Sequence, residues 1–172
     1  LILKSSEFFE VKKVDFSSDV DIELPYLIGR NIFDINLKDE ARVLRNKYPQ
    51  LKILSISRHL PDKITLHIRR RRPVARIKSY RYFYIDEEGV ILPKESDYDS
   101  DLLPLLVGLE EKVERPRYGW SYADLKEVYL ALRLIKELKK NPATSALSID
   151  RIDVSDIRNL FFSVRTYGVE IR

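Results

Sequence analysis

Apolar and polar residues alternate through Tyr48–Ile77: Leu54 and Ile56 in one run, then Ile64, Leu66 and Ile68 in the next. A period of two is that of a strand with one face buried. Between the runs, His59-Leu60-Pro61-Asp62-Lys63 carries turn chemistry, because Pro presets φ and Asp bonds its own backbone. The stretch therefore predicts a β-hairpin. Upstream, Phe8–Phe16 (FFEVKKVDF) sets Phe9, Val11 and Phe16 among charges with Val14 out of phase, and predicts an edge strand. A short helix is expected through Ile22, Leu24, Leu27 and Ile28, capped by Asp19-Val20-Asp21, ended by Gly29 and starting near Pro25. Leu37, Ala41, Leu44 and Tyr48 lie three or four apart and give a second helix its apolar face. Asn36 precedes that helix, Asp39 meets the exposed amides of its first turn, and Pro49 stops it. Strand, helix, helix, strand, strand is an order in which two helices can cover one face of a three-stranded sheet.

From Lys78 the pattern changes. Tyr80, Tyr82 and Tyr84 alternate with Arg81 and Phe83, Asp86-Glu87-Glu88-Gly89 reads as a turn, and Val90-Ile91-Leu92 resumes as strand. This second hairpin places a domain boundary near residues 77 to 79. Leu102–Leu109 is a short apolar strand or buried turn, and Glu110–Gly119 a charged linker. Ser121 followed by Asp124 resembles a capping box opening the longest helix, with Leu125, Val128, Tyr129, Leu132, Ile135 and Leu138 as its stripe and Pro142 at its close. Strands at Ile149–Val154, Phe161–Arg165 and Val169–Ile171 finish the chain, the last after a Tyr167-Gly168 turn. The expected fold class is α+β.

Composition narrows the function classes. The 172 residues are 44% hydrophobic and 34% charged, which suits a globular fold, and the formal charge is only +4. With no cysteine, disulfides, thiolate metal sites and cysteine catalysis are excluded. No run approaches the ~18 apolar residues of a membrane span. The chain opens Leu-Ile-Leu-Lys and contains no methionine, so we expect it to be a processed or excised piece with room for an upstream anchor.

Candidate chemistry is sparse. His59 and His67 would lie near each other on the hairpin, without a spaced third metal ligand. Asp97, Asp99 and Asp101 mimic the opening of a calcium loop, but Leu102 and Gly108 stand where that loop needs glycine and glutamate. Asp86, Glu87 and Glu88 are explained by their turn. With no phosphate loop and no serine elbow, we expect no catalytic residues, no metal and no cofactor. The run Arg69-Arg70-Arg71-Arg72 admits three readings. With the nearby tyrosines it could form a single-strand nucleic-acid surface. It could instead protect a strand edge, or face anionic lipid headgroups. The mild net charge argues against a nucleic-acid partner.

The ordered motifs resemble a known family. The strand-helix-helix-strand-strand order resembles a POTRA domain. Asn31-Ile32-Phe33, Pro49, Ser57-Arg58-His59-Leu60-Pro61, the Ile64-Leu66-Ile68 strand and Arg72-Pro73-Val74-Ala75 look like the extracytoplasmic part of the bacterial division family FtsQ, called DivIB in Gram-positive bacteria. Tyr84-Ile85-Asp86-Glu87-Glu88-Gly89-Val90 and Leu103-Pro104-Leu105-Leu106-Val107-Gly108 match that family's β domain in order and spacing. Where the family often has an acidic residue before the Pro-Val-Ala, this chain has Arg69–Arg71. The resemblance implies a membrane-proximal segment over residues 1–7, a POTRA domain over 8–77 and a β domain over 78–172 that stops short of the family's final strand. It implies a non-enzymatic divisome scaffold, anchored in the cytoplasmic (inner) membrane by a single segment before Leu1, with this part on the periplasmic side at the septum. The implied partners are FtsB/FtsL-type coiled-coil proteins and other divisome components, with an effect on septal peptidoglycan synthesis. The implied mechanism is β-augmentation at an edge near the C-terminus. Arg158, Phe161, Val164, Tyr167, Val169 and Ile171 are its expected contact residues, with the Tyr122–Lys140 helix alongside. A POTRA-bearing chaperone or translocation component is the competing reading.

Overall fold

The computed structural model describes residues 7–18, 20, 22–94, 100–165 and 169–171. The chain divides into two compact units, Leu1–Arg71 and Arg72–Arg172. Both combine helix and sheet, so the fold is α+β.

The first unit holds a three-stranded sheet of β1 (Lys13–Phe16), β2 (Leu51–His59) and β3 (Lys63–Arg70) in the order β1-β3-β2. The hairpin is present, with β2 antiparallel to β3, and β1 joins β3 in parallel. Ile64, Leu66 and Ile68 are buried as their alternation requires. On β2 the alternation misleads. The register passes from Ile53 opposite Ile68 to Ser55 opposite His67, so Leu54 is the extra residue of a β-bulge. Ile53 points into the core and Leu54 is exposed.

The first strand is shorter than its sequence suggests. The Val11 N–H donates to the Arg30 carbonyl at 2.9 Å and its carbonyl accepts from the Gly29 N–H at 2.9 Å. Val11 is thus committed to a separate pairing, while Val14 and Phe16 stand opposite Ile64 and Leu66. That is why Val14 falls out of phase.

The helix expected over Ile22–Ile28 is a single 3-10 turn, Pro25–Leu27. Pro25 lacks an N–H to extend it backwards, and Gly29, at φ +78°, turns the chain away. Ile22, Leu24, Leu27, Ile32 and Ile35 are nonetheless buried, so this irregular segment still supplies core. The Tyr26 hydroxyl ties it to the next helix by donating to Glu40 Oε2 at 2.9 Å. Burial, then this carboxylate, push the Tyr26 pKa up to about 12. Helix α1 (Leu37–Lys47) starts at Asn36, whose side chain accepts from the Lys38 and Asp39 amides, and Leu44 anchors its apolar face.

The second unit has a seven-stranded sheet: β4 (Pro73–Lys78), β5 (Tyr82–Asp86), β6 (Ile91–Leu92), β7 (Leu105–Val107), β8 (Ile149–Asp153), β9 (Phe161–Val164) and β10 (Val169–Ile171). Its strand order is β10-β9-β8-β7-β4-β5-β6. The boundary between units lies at Arg71/Arg72, six residues before the expected Ile77/Lys78. Pro73–Lys78 is the reason: it forms β4, which pairs with β5 and β7. Helix α2 (Lys126–Lys140) crosses over between the parallel neighbours β7 and β8, and Val128, Ala131, Leu132 and Ile135 bury its inner face.

Two expectations about α2 fail. Tyr129 is exposed, since the buried stripe runs through Ala131 instead. Ser121 does not cap α2: its hydroxyl donates to the Glu88 carbonyl and accepts from the Ala123 amide, and the backbone before the helix is held extended beside β6. The Tyr122 N–H donates to the Gly89 carbonyl at 2.8 Å and the Ile91 N–H to the Trp120 carbonyl at 2.9 Å. The helix therefore begins four residues later than Tyr122, with Leu125 at its N-cap and no side-chain cap.

Candidate functional site

The resemblance directs attention to the β8-β9-β10 end of the second sheet. β9 pairs with β8 through Phe161 opposite Asp153, Phe162 opposite Ile152 and Ser163 opposite Arg151. β10 pairs with β9 through Val169 opposite Val164 and Ile171 opposite Phe162. β10 ends the strand order, so among the described residues its backbone is paired on one side. Val164 is buried and Phe162 packs on the core, which fixes the inner face. Arg151, Asp153, Phe161 and Ser163 belong to the other face, and with the neighbouring Phe162 they line a shallow cavity of about 180 Å3. Tyr167 lies outside the described residues, as do Asp97 and Asp99 and the segment before Glu7.

Arg158 belongs to the loop joining β8 to β9. Two aspartates shape that loop. Asp153 Oδ1 accepts from the Ser155 amide at 3.0 Å and its hydroxyl at 2.7 Å. Asp156 Oδ1 accepts from the Arg158 amide at 2.9 Å and Oδ2 from the Asn159 side chain at 3.0 Å. The Ser155 hydroxyl, then its amide and Arg151, hold Asp153 below the ordinary carboxylate value against the opposing effect of burial. The Arg158 amide and the Asn159 side chain do the same for Asp156. Arg158 itself projects into solvent, its side chain 88% exposed, with its Nε 3.7 Å from Asp156 Oδ1. Its backbone is fixed and its guanidinium stays available for a second carboxylate, a geometry suited to an ion pair at an interface rim.

Sequence reasoning missed the residues that hold this loop. Asp153-x-Ser155 and Asp156-x-x-Asn159 are the readable signals, since Asp bonds amides two residues on. Gly108 is the third: at φ +84°, a β-carbon there would stand 2.5 Å from the Ser155 nitrogen. The loop can lie against the end of β7 only because residue 108 has no side chain.

The other singled-out residues fall elsewhere. Arg69 and Arg70 close β3, opposite Lys52 and Leu51, and Arg71-Arg72 is the joint between units. Beyond Leu66 the β1 side of β3 has side chains in place of a strand: Ser18 Oγ donates to the Ile68 carbonyl at 2.6 Å, and the Ile68 N–H donates to Ser17 Oγ at 3.1 Å. His59 and His67 are not neighbours. They stand opposite Lys63 and Ser55, four residues apart along β2, or ~13 Å at strand rise. Asp86 is buried, its Oδ1 accepting from the Glu88 and Val90 amides at 2.9 and 2.8 Å, which makes it a turn residue. Arg58 donates to the carbonyls of Ile32 and Ile35 and so joins two of the motifs that carry the resemblance. No helix among the described residues is long and apolar enough to cross a membrane.

No family model matches the chain. It is similar to the cell division protein FtsQ of Geotalea daltonii, 27% identical over 146 residues that cover 80% of this chain and 51% of the relative. FtsQ of Koribacter versatilis is 28% identical over 158 residues, 90% of this chain and 44% of the relative. The cell division protein DivIB of Clostridium tetani is 30% identical over 114 residues, 61% of this chain and 42% of the relative. The chain spans about half the length of the curated relatives it matches. All four relatives found, 25–30% identical over 61–90% of this chain, are FtsQ or DivIB cell division proteins, and together they support an FtsQ/DivIB family assignment.

Proposed function

We infer that this chain is the extracytoplasmic part of a non-enzymatic divisome scaffold that captures FtsB/FtsL-type coiled-coil proteins by strand addition. The first unit serves as a POTRA domain and the second as the β domain. A segment before Leu1 anchors the protein in the cytoplasmic membrane, and capture helps to regulate septal peptidoglycan synthesis. One observation carries the reading: among the described residues β10 is the end strand of the seven-stranded sheet, so its outer backbone groups are a template for another strand. Main-chain bonds along β10 supply affinity. Phe161 and the cavity beside Arg151 and Asp153 receive side chains, and Arg158 pairs with a partner carboxylate at the rim. The arginines at the end of β3 guard the part of that strand that β1 leaves uncovered.

The test is Arg158→Glu in a pull-down titration against the coiled-coil partners. The charge reversal should weaken binding about tenfold, the scale of a rim ion pair turned repulsive. The circular dichroism melt should not move, since the side chain is exposed. Unaltered affinity removes Arg158 from the interface.

A further inference from the structure

At the other end of the second sheet lies a surface that strand addition on β10 does not use. β6 ends the strand order there, and the Arg117–Trp120 turn is clamped to it. The Gly119 N–H donates to the Ile91 carbonyl at 2.8 Å, the Ile91 N–H to the Trp120 carbonyl at 2.9 Å, and the Trp120 N–H closes the turn on the Arg117 carbonyl at 3.1 Å. Gly119 takes φ +81°, which lets the turn reverse so tightly. The backbone is fixed, yet the side chains it presents are large and wet: Tyr118 is 45% and Trp120 55% exposed. The Arg117 guanidinium lies over Trp120, 4.7 Å from the ring centroid. Arg81 lies 5.4, 4.9 and 5.8 Å from the rings of Tyr80, Phe83 and Tyr118, and donates to the Tyr118 hydroxyl at 3.1 Å. Tyr80, the outermost of these rings, is 70% exposed.

A merely solvated face would carry lysine and glutamate. Exposed tryptophan, tyrosine and arginine on a rigid backbone are the composition of binding hot spots. The ring contacts hold each guanidinium beside aromatic side chains, and the N–H groups that Arg81 does not spend on Tyr118, with those of Arg117, can take a carboxylate. Among the described residues neither Arg81 nor Arg117 pairs with one. The surface thus offers two guanidinium groups beside aromatic rings, a match for a chain that alternates acidic and apolar residues.

We propose that Arg81, Arg117, Tyr80, Tyr118 and Trp120 form a second docking surface, whose occupant is an extended acidic peptide segment of a partner protein. Its carboxylates sit on the guanidinium edges, and its proline or aromatic side chains on the tyrosine and tryptophan faces. The formal charge of +4 is too small for a nucleic-acid specialist, which favours peptide over oligonucleotide.

Trp120 is the chain's one tryptophan, so its emission reads this surface alone in the whole protein. Titration with a peptide of repeated Glu-Pro-Glu-Phe units at low salt should shift that emission saturably, and the same peptide with lysine for glutamate should not. The double variant Arg81→Gln, Arg117→Gln should bind about tenfold more weakly. The double variant to lysine should fall between, because it keeps the charge and loses the fork. Both variants should melt as the parent does. The proposal is overturned by the absence of a saturable shift, by equal affinity in the glutamine variant, or by equal binding of the lysine peptide. A shift with oligothymidylate where the acidic peptide gives none also overturns it. None of these outcomes bears on Arg158 or β10, so this surface and the strand-addition reading fail separately.

Discussion

Gly108 shows how one absent side chain sets the path of the loop that carries Arg158. Its φ of +84° already disfavours any other residue, and the Ser155 backbone fills the space a β-carbon would take. Relief would require the Asp153–Asn159 loop, and Arg158 with it, to move off the end of β7. Gly108→Ala should therefore cost about 2 kcal/mol or more, as a lower urea midpoint, and should weaken partner binding along with stability. Gly29, also at positive φ but with nothing within 4 Å of its would-be β-carbon, should tolerate alanine better. The loop is also acid-sensitive in a definite direction. Asp153 is held below its ordinary 3.8 when folded, chiefly by the Ser155 hydroxyl. The unfolded state then binds the proton more readily. The stabilisation is complete above the ordinary value and is lost as pH falls through the depressed one. Asp153→Asn should melt below the parent at neutral pH, and the gap should narrow as pH falls below the ordinary carboxylate value. A gap that stays constant means the carboxylate charge is not its source.

At the scale of elements, β10 supports the sharpest test of strand addition. Successive N–H groups of a strand point to opposite sides, so of Val169→Pro and Glu170→Pro one removes a donor aimed at β9 and the other a donor aimed away. The variant that keeps its thermal melt should lose the coiled-coil partners. If it binds them as the parent does, main-chain pairing on β10 is not the mode of capture. Which elements were legible in the sequence follows from which forces are local. Ile64, Leu66 and Ile68 alternate without interruption, and Asn36 caps α1 with its own side chain, so β3 and α1 could be read directly. Leu54 could not: the bulge that turns it outward is a property of the pairing with β3. Ser121 carried a capping signal, but backbone bonds from Tyr122 to Gly89 and between Ile91 and Trp120 outcompeted it. The site divides likewise. Arg158 was placed by resemblance, whereas its support through Gly108 and Ser155 joins residues 47 apart, a contact that no local spacing reveals.

At the scale of the molecule, two separate cores imply two separable stabilities. One cluster gathers Leu44, Leu51, Ile64, Leu66 and Ile68 with the Ile22–Ile35 segment. The other gathers Ile77, Ile85, Leu106 and Ile152 with Val128 and Ile135 of α2. Each buries its own sheet face under its own helix, which is what a unit needs to fold by itself. Leu66 and Leu106 have no exposed surface, and truncating either to alanine should cost about 2–5 kcal/mol. In units of this size each kcal/mol lowers the midpoint by roughly 4–8 °C. Calorimetry of the whole chain should show Leu66→Ala lowering one transition and Leu106→Ala the other, and a single transition displaced equally by both would refute independent folding. The same pair ties stability to function. The β10 edge and the Arg158 loop are built entirely on the second core. At a temperature between the lowered transition and the untouched one, Leu66→Ala should still bind the coiled-coil partners, whereas Leu106→Ala should lose them as its own unit melts.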